Sequence, residues 1–576
     1  MEERIRKAVS EALAGMGARD VAFVVERPAV AAHGDYTTNA AMKIFGPLSH
    51  GNIRSSSGRR GSQVMYQWRP LLEKFNNPRE LADSLARVLI ESLGADIASH
   101  VAVAGPGFIN ITLSQGAVAL AVAEADAKGV EWGKNNAEDG ERVMIEYSNP
   151  NAFKEMHIGH LVGTVVGEAL SRLIENSGAT LARDTFGGDI GPNVAKALWG
   201  LRKNGVTSPY MAREMGEAYS KGSNAYESDV KAKEEIDALN QEIYSGEDRE
   251  LAELWRRGRD VSMEEFRKIW KILGTRFDFE FFDSDTTETG LRVVNDGLNK
   301  GIFQKSDGAI IYNGEEKGVH TLVFITSHNT PTYEAKDIGL AFIKEERWPS
   351  DKVIIVTGNE QTGRFKTILA ALGELVPKLA EKTAHVATGF LKLTSGKMSS
   401  REGNVITAMG FIQEVMEKAS EKNQDPLIAK QVAVGAIKYM ILRQAPGSDI
   451  IFDEEKSLSL EGDSGPYLQY ALVRAKKILT YGATGEGGTE ESAEPYAVER
   501  LILHYPEVAA RAARELAPNL LVNYLTELAG EWNAFYAKEQ VLGSPQEVYK
   551  QRVTRAFANT MTNGLTLLGI PTPDRM

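Results

Sequence analysis

Residues 142–161, RVMIEYSNPNAFKEMHIGHL, constrain the fold of this chain more than any other stretch. An apolar run, Val143–Ile145, ends at Glu146, and a polar segment separates it from a helical pattern that opens at His157. The pattern predicts a strand, a loop and a helix. The first turn of a helix offers unpaired backbone N–H groups and the positive end of the helix dipole. His157 and His160 are therefore expected where phosphate binds well.

The histidine pair has more than one interpretation. Gly159 removes a side chain where a flat ligand could approach the backbone, which favours a nucleotide. A metal pair is a second interpretation, but no Asp, Glu or Cys with ligand spacing accompanies the two histidines, and we predict no metal site. Two capping or surface histidines are a third interpretation, which these four residues alone leave open.

Length and composition set wider limits. The 576 residues exceed what one hydrophobic core organises, so roughly two to four domains are expected. The absence of cysteine excludes disulfides, thiolate zinc sites and a cysteine nucleophile, and it suits a reducing cytosol. No apolar run approaches the roughly 20 residues that cross a bilayer, and the N-terminal MEERIRKAVSEALAGM predicts an amphipathic helix. We expect a cytoplasmic protein without a membrane segment.

The charge distribution bears on nucleic acid as a partner. A net charge of −12 argues weakly against it, but a large acidic protein can carry a local basic face. Residues 49–75 are rich in Gly, Ser and Arg and predict a mobile loop. Arg54, Arg59 and Arg60 could touch an RNA backbone there, although a solvated surface loop is the simpler interpretation.

The periodicity of the chain predicts an α/β protein whose middle part is a parallel sheet with helices on both faces. The predicted segments are an α/β module at 1–115, a connector at 116–139, a Rossmann-like domain at 140–405 with a helical insertion at 205–272, and an all-α bundle at 406–576. The predicted strands of the Rossmann-like domain are Val143–Tyr147, Ala179–Asp184, Ala309–Tyr312, Leu322–Thr326, Val353–Thr357 and Ala387–Leu393. In the first module, Val21–Val25 and Phe108–Leu113 are predicted strands, and 34–39 a turn followed by a helix start.

A second motif follows the last predicted strand of the Rossmann-like domain. The segment GKMSSREGN contains Lys397, Met398, Ser399, Ser400 and Arg401. A Gly-flanked loop with a lysine and two hydroxyls can close on a triphosphate, with Lys397 meeting the negative charge that develops as pyrophosphate leaves. Alone it would be an ordinary basic loop, but after the strand, histidine pair and helix it is a specific signal.

Together the two motifs resemble the paired signatures of class I aminoacyl-tRNA synthetases. Four further stretches resemble arginyl-tRNA synthetases, and the resemblance runs nearly end to end: SNPNAFK at 148–154, TPTYEAKDIG at 330–339, GPYLQY at 465–470 and the C-terminal 563–576. The resemblance implies ATP-dependent ligation of L-arginine to its tRNA through arginyl-adenylate, with AMP and pyrophosphate released and adenylate formation dependent on bound tRNA. We also expect ATP with Mg²⁺ as a substrate complex, no tightly bound metal, and a monomer.

The resemblance assigns roles within the site. Glu146 and Asn151 are similar to residues that hold the ammonium and carboxylate of the amino acid. Asp283 stands where the family commonly has a glutamate, and Ser400 where the class has a second lysine, whose role the resemblance gives to Lys154. The side-chain pocket is assigned Tyr333, Asp337 and Gln361, and the ATP contacts His157, Gly159, His160, Lys397, Met398, Ser399 and Ser400.

Physical reasoning agrees in part with these assignments. A guanidinium needs a planar carboxylate partner, because a bidentate pair supplies both energy and geometry. On spacing alone, however, Tyr333 and Asp337 fit an amphipathic helix with one buried and one solvated residue. Lys154 likewise fits a plain solvated lysine.

The outer domains are assigned to tRNA by the same resemblance, the first to the tRNA elbow and the last to the anticodon. Phe108 and Asn110 are alternate residues on one strand face and are candidates to contact an unpaired D-loop base, against a core Phe and a surface Asn. The bundle interleaves aromatic and basic residues, and Tyr467, Tyr524 and Trp532 are its stacking candidates, although most of its aromatics are expected in the core.

Two other functions compete with this one. A nucleotidyltransferase could make a small-molecule adenylate without RNA, but the two flanking RNA-type domains argue against it. A non-catalytic tRNA-binding relative is disfavoured by the intact histidine pair and Lys397. A different amino acid remains the nearest alternative within the ligase interpretation, because Asp283 departs from the family pattern.

Overall fold

A computed structural model of the chain describes residues 1–49, 68–209, 211–394, 406–481 and 494–576. These residues form two compact units. The first comprises Met1–Gly133, Arg474–Val508 and Glu527–Asn563, and the second Lys134–Val473, Ala509–Thr526 and Gly564–Met576. Lys397, Met398, Ser399, Ser400 and Arg401 lie outside the described residues, as do Arg54, Arg59 and Arg60. None of the helices in the described ranges is long and apolar enough to cross a bilayer.

The first unit contains a four-stranded antiparallel sheet in the order β1-β2-β4-β3. Its strands are β1 (Val25–Glu26), β2 (Tyr36–Thr38), β3 (Ala98–Ala104) and β4 (Phe108–Leu113), and its N-terminal helices are α1 (Glu2–Gly15), α2 (Ala40–Ser49), α3 (Arg69–Lys74), α4 (Pro78–Leu93) and α5 (Gln115–Lys128). Helix α4 begins with Pro78 in its first turn, and the Asn77 side chain before it accepts from the backbone N–H of Glu80.

Two predictions in this unit need correction. The residues from Val21 do not form a strand until Val25, and the expected turn at 34–39 contains strand β2, because Tyr36 and Thr38 pair with β4. The expected 49–75 loop ends in helix α3, and Trp68 before it is buried. Large apolar side chains at 68 and 71 bury surface that a solvated loop would leave exposed.

The second unit is organised by a five-stranded parallel sheet in the order β12-β11-β5-β6-β7. The strands are β5 (Arg142–Glu146), β6 (Thr180–Gly187), β7 (Phe279–Phe282), β11 (Lys352–Gly358) and β12 (Thr383–Thr388). The helices along its chain are α6 (Ile158–Asn176), α7 (Pro192–Lys203), α11 (Asp283–Asn299), α12 (Tyr333–Arg347), α13 (Thr362–Leu375), α14 (Pro377–Glu381), α15 (Ala408–Lys422), α16 (Pro426–Leu442) and α17 (Glu454–Ser457). Glu146 lies opposite Asp184 on one side and Ile355 on the other, so their strand ends meet at one edge.

Four helices lie between β6 and β7, and the three that follow α7 lie where the insertion was predicted. These three are α8 (Ala212–Ser228), α9 (Val230–Ser245) and α10 (Arg249–Leu273). Met215, Ile236 and Leu254 bury one face of each helix in a shared core. The same core includes Leu198 and Trp199 of α7, so the insertion packs on the helix that precedes it.

The strand assignment differs from the prediction at several points. The 309–312 and 322–326 strands form a separate antiparallel sheet of β8 (Gln304–Ser306), β9 (Ala309–Tyr312) and β10 (Leu322–Ile325), since a nine-residue connection is too short for a parallel crossover. Strand β7 was not predicted. The expected 387–393 strand divides at Gly389 into the end of β12 and β13 (Leu391–Leu393).

A strand also occurs in the region predicted as all-helical. Strand β14 (Ile450–Phe452) pairs in parallel with β13. Gly389 permits this close approach, because a Cβ there would lie 1.9 Å from the carbonyl oxygen of Ser448. The remaining C-terminal elements are the helices α18 (Gly465–Tyr481), α19 (Ala497–Arg514), α20 (Pro518–Lys538) and α21 (Glu547–Leu567).

Helix α6 packs directly on the residue after β5. A Cβ at Gly167 would lie 2.2 Å from Cγ of Tyr147, so only glycine allows the contact. Below it, the buried Glu168 carboxylate accepts from the Tyr147 hydroxyl at 2.8 Å, Arg172 Nε at 2.6 Å and Arg183 Nε at 3.2 Å. Burial opposes ionisation, yet the two arginines hold the pKa of Glu168 below its usual value. This network fixes the helix on the sheet.

Candidate functional site

An open cleft lies in the second unit at the carboxyl ends of its parallel strands, the usual ligand position in such sheets. Residues from the ends of β5, β6, β11 and β12 contribute to its walls. Nine of the predicted site residues line it: Glu146, Asn151, His157, Gly159, His160, Asp283, Tyr333, Asp337 and Gln361. The structure thus brings most of the assigned amino-acid and ATP contacts into one space.

The histidine end of the cleft is the start of helix α6. His157 is the N-cap, and its Nδ1 accepts from the backbone N–H of Gly159 at 3.1 Å. The neutral ring therefore carries its hydrogen on Nε2, which can donate to a ligand. The His160 ring stacks on it at 3.6 Å between centroids, and within the described residues Nδ1 of His160 is buried without a hydrogen-bond partner. The capping interpretation is correct for His157, and it leaves Nε2 able to contact phosphate.

Both imidazoles are held neutral. Burial lowers the pKa of His157, and nearby Lys154 lowers it further. Burial also lowers the pKa of His160 well below its usual value, with His157 and Lys154 adding to the effect. The pair therefore offers hydrogen-bond donors without a formal charge, and positive charge at this end has to come from lysine.

Lys154 does not line the cleft in this structure. Its Nζ lies 4.0 Å from the ring centroid of Tyr219 on insertion helix α8. It lies three residues before the N-cap of α6 in sequence, and it lowers the pKa of both histidines. The insertion therefore positions the lysine that the sequence assigns to the triphosphate.

The loop between β5 and α6 is conformationally strained. Ser148, Asn149 and Phe153 all have positive φ, at 75°, 47° and 63°. The Asn149 side chain holds the turn by donating to Oε1 of Glu146 at 2.8 Å and accepting from the N–H of Phe186 at 2.9 Å. Strain of this kind persists where the surroundings dictate the backbone, as at ligand sites.

The cleft also contains a group of acids, Glu146, Asp283 and Asp337, which we call its acid end, and Glu146 is already paired. Lys344 on α12 places its Nζ 2.6 Å from Oε2 of Glu146 and 2.6 Å from Oδ2 of Asp184, with all three side chains buried. Burial raises the pKa of Asp184 to about 7, with Lys344 opposing the shift and Glu146 adding to it. The predicted ammonium contact of Glu146 therefore shares its carboxylate with Lys344.

The other two predicted acids also have cations of this chain as partners. Lys336 donates to Oδ2 of Asp283 at 2.9 Å, and the guanidinium of Arg364 donates to Asp337. Arg364 additionally donates from Nε to Glu334 at 3.0 Å and from Nη1 to Gln361 at 2.9 Å. Every acid assigned to the amino acid thus has an internal cation.

These cations are the residues that sequence reasoning missed. Lys344 lies seven positions after Asp337, two helical turns along the same face. Lys336 directly precedes Asp337 in the sequence. Arg364 follows Gln361 by three positions. These spacings could have identified the three cations as candidate site residues. They could not have shown which acid on another element each cation pairs with.

The candidate tRNA contacts divide into two groups. Phe108 is 38% exposed and shares the outer face of β4 with Asn110, so the core interpretation of Phe108 is wrong. Tyr467 is half-buried. The assignment of Tyr524 and Trp532 as stacking residues needs correction, because both are buried and Trp532 already stacks on Phe557 at 4.4 Å.

In the described part of the chain, no group of three or more His, Asp or Glu side chains is arranged to hold a metal ion.

Comparison with known families and structures gives consistent matches along the chain. Residues 122–454 match the model of the class I (R) tRNA synthetase catalytic domain, 468–576 that of the DALR anticodon binding domain, and 2–113 that of the arginyl-tRNA synthetase N-terminal domain. The arginine–tRNA ligase of Treponema denticola is 29% identical over 86% of this chain and 90% of its own length. That of Limosilactobacillus reuteri is 27% identical over the whole of both chains.

Solved structures agree in fold. The chain is similar to the arginyl-tRNA synthetase of Thermus thermophilus, with a TM-score of 0.79, 24% identity and full coverage of both chains. It is also similar to that of Plasmodium falciparum, with a TM-score of 0.75, 19% identity and coverage of 100% and 98%. At these identities the likeness is one of architecture.

Proposed function

The chain belongs to the class I arginyl-tRNA synthetase family, and from that premise we propose that its cleft binds L-arginine and Mg-ATP side by side. The activity is ligation of arginine to tRNA through arginyl-adenylate. The observation that carries the site assignment is the convergence of nine assigned residues, from the histidine helix to the acids of α12, in one cleft.

In the first step, the arginine carboxylate attacks the α-phosphate of ATP and pyrophosphate leaves. The N-terminus of α6 and the neutral donors of His157 and His160 stabilise charge on the phosphates. Lys154 and the segment with Lys397, Met398, Ser399 and Ser400 supply further triphosphate contacts in this proposal, with Mg²⁺ belonging to the substrate complex. Catalysis is positioning together with electrostatic stabilisation.

In the second step, the terminal ribose hydroxyl of tRNA attacks the adenylate carbonyl and AMP leaves. No side-chain nucleophile is needed. Phe108 and Asn110 on the outer face of β4 are the proposed contacts to the tRNA elbow, and the C-terminal helices contact the anticodon. We propose that adenylate forms only with tRNA bound.

Selection of arginine rests on the acids of the cleft. Asn151 and Glu146 bind the main-chain carboxylate and ammonium, while Asp337, Gln361 and Tyr333 face the guanidinium. Burial raises the pKa of Asp283 to about 6 although Lys336 opposes the shift, and we assign it as the second acid in place of the usual glutamate. A fork of donors matches this set, whereas a single ammonium does not.

Aminoacylation with each of twenty amino acids and total tRNA tests the proposal. Arginine alone should be charged, and arginine-dependent ATP–pyrophosphate exchange should appear only when tRNA is added. Charging of another amino acid without arginine would refute the substrate assignment. Exchange indifferent to RNA would instead favour the nucleotidyltransferase, and tRNA binding without charging the non-catalytic relative.

The proposal also places the protein in the cytoplasm, where charged tRNA is used, as a monomer. Light scattering should then give a mass near the 63.0 kDa of one chain. A stable mass of twice this value would refute the monomer.

A further inference from the structure

The guanidinium of Arg364 lies in the part of the cleft assigned to the guanidinium of the substrate. It uses all three of its nitrogens: Nε on Glu334 at 3.0 Å, Nη1 on Gln361 at 2.9 Å, and Nη2 on Asp337. Two of these three partners, Asp337 and Gln361, are residues assigned to substrate arginine. The forked set of contacts is the one that a bound arginine side chain would make.

The aromatic surroundings match as well. The carbon centre of the Arg364 guanidinium lies 5.9 Å from the ring centroid of Tyr333 and 5.3 Å from that of Phe365. Tyr333 is 48% exposed, so one side of this position is open to the cleft. Two aromatic rings and two carboxylates therefore surround the Arg364 guanidinium in the cleft.

The physical reason for such an occupant is the cost of an unpaired carboxylate. Burial raises the pKa of Asp337 to about 7, and Arg364 opposes that rise. Without a cation, the pocket would hold Asp337 close to Glu334 and Glu146 with no compensating charge beside it. An internal guanidinium keeps the pocket paired when no substrate is bound.

We propose that Arg364 is an internal occupant of the arginine site, and that substrate arginine binds by displacing its guanidinium from Asp337 and Gln361. This inference rests on the proposed function. Binding exchanges one guanidinium for another, so the acids are paired before and after. Glu334 is not needed by the substrate in this exchange and remains a partner for Nε of the displaced Arg364.

The exchange lowers the apparent affinity for arginine. A site that is competent only when Arg364 has moved binds with an affinity reduced by the fraction of competent molecules. The reduction applies to every ligand of the pocket alike. Arg364 therefore sets the arginine concentration at which the protein responds without setting its choice of amino acid.

The variant Arg364→Gln tests the exchange, with arginine and ATP affinities measured by calorimetry on the full chain. We expect the arginine Kd to fall about 10-fold or more, because the competitor is gone and Asp337 is left unpaired. The ATP Kd should stay the same. Lys366→Gln, two positions on and exposed, is the matched control and should change neither value.

Competition by a free guanidinium compound shows whether Arg364 occupies the arginine site or only positions Asp337. In Arg364→Ala, methylguanidinium at low millimolar concentration should compete with arginine, while the same concentration leaves arginine binding to the wild type unchanged. If Arg364→Gln does not fold, Arg364→Lys is used, which keeps the charge, cannot form the fork, and should still bind arginine more tightly than the wild type.

Two results would overturn the inference. Weaker or unchanged arginine binding in Arg364→Gln and Arg364→Lys, with ATP binding retained, would make Arg364 a residue that positions Asp337. Absence of methylguanidinium competition in Arg364→Ala would mean that the vacated position is not a guanidinium site. If the wild type itself fails to bind arginine, it is the proposed function that fails.

Discussion

The two ends of the cleft solve opposite electrostatic problems. At the histidine end, His157 and His160 are neutral and His160 has a buried nitrogen without a partner among the described residues. At the acid end, Glu146, Asp283 and Asp337 each have a cation of this chain. A phosphate brings its own charge and needs donors, whereas a buried carboxylate must be paired at all times. In our proposal, phosphate at the first end accepts from donors that are already in place, whereas arginine at the second end exchanges partners.

The largest expected effect concerns the internal pairing at the acid end. Lys344→Met should lower the free energy of unfolding by about 3–5 kcal/mol, because it leaves Glu146 and Asp184 buried together without their cation. Chemical denaturation followed by tryptophan fluorescence measures the change. Lys392→Met removes an ion pair with Asp449 whose side chains are 58% and 38% exposed, and it should leave the midpoint close to wild type. If both variants lowered the stability equally, the buried pairing of Lys344 would matter no more than an exposed ion pair.

At the histidine end the effect should appear in the rate instead. His160→Ala should slow arginine-dependent ATP–pyrophosphate exchange by about 10²–10³, the usual effect of losing one preorganised donor to a developing negative charge. The exposed His328, outside the cleft, provides a matched control, and His328→Ala should retain full exchange. If His160→Ala instead unfolds the protein at wild-type assay temperatures, the histidine is part of the core and not a ligand contact.

The pH dependence of the two ends should differ. Burial raises the pKa of Asp337 to about 7 and of Asp283 to about 6, against Arg364 and Lys336 respectively, so both carboxyls take up protons as the pH falls from 8 to 6. A protonated carboxyl cannot pair with a guanidinium, and arginine affinity should fall by up to about 10-fold. ATP affinity should hold or improve, because any protonation of His157 adds positive charge beside phosphate.

Calorimetric titration of each substrate at pH 8, 7 and 6 measures these trends. Asp337→Asn should flatten the arginine profile, since the titrating group is removed. Parallel loss of arginine and ATP affinity would indicate unfolding of the cleft and not titration of its acids.

The smallest expected effect concerns what lowers the pKa of His157 and His160. Lys154→Met should raise the pKa of His157 and His160 by less than about 1 unit, because burial is the larger cause for both and the lysine only adds to it. NMR titration of the imidazole protons measures the shift. Lys196→Met removes a lysine that lies over Tyr226 instead, and it should leave both titrations unchanged. A shift above the ordinary histidine pKa would make Lys154 the dominant cause.

The sequence predicted the histidine end better than the acid end for a physical reason. A strand, a strained loop and a helix start are local, and their spacing alone places His157 at the cap of α6. The internal cations are not local: Lys344 and Arg364 reach Glu146 and Asp337 only after α12 and α13 pack on the sheet. Spacing identifies the residues of one element, but it does not give the pairs that form between elements.

The sequence also did not predict which aromatic side chains are exposed or which sheet each strand joins. An aromatic residue near lysines has the same pattern whether it faces solvent or the core, so Trp532 was assigned to RNA although it is buried. The strands at 309–312 and 322–325 alternate like those of the parallel sheet yet form another sheet, because their short connection allows only antiparallel pairing. The parallel direction of the remaining strands could be predicted from the helical segments between them.

The contact between Gly167 and Tyr147 bears on how exactly the two halves of the cleft are aligned. Tyr147 continues the strand that ends in Glu146, and Gly167 lies on the helix that His157 caps. This contact therefore fixes the spacing between the end of β5 and the start of α6, which carry the proposed contacts to the amino acid and to ATP. A displacement of about 1 Å can reduce the rate of an aligned reaction about 10²-fold. A side chain at position 167 would separate α6 from β5, and in our proposal it would also change the distance between the groups that hold the two substrates.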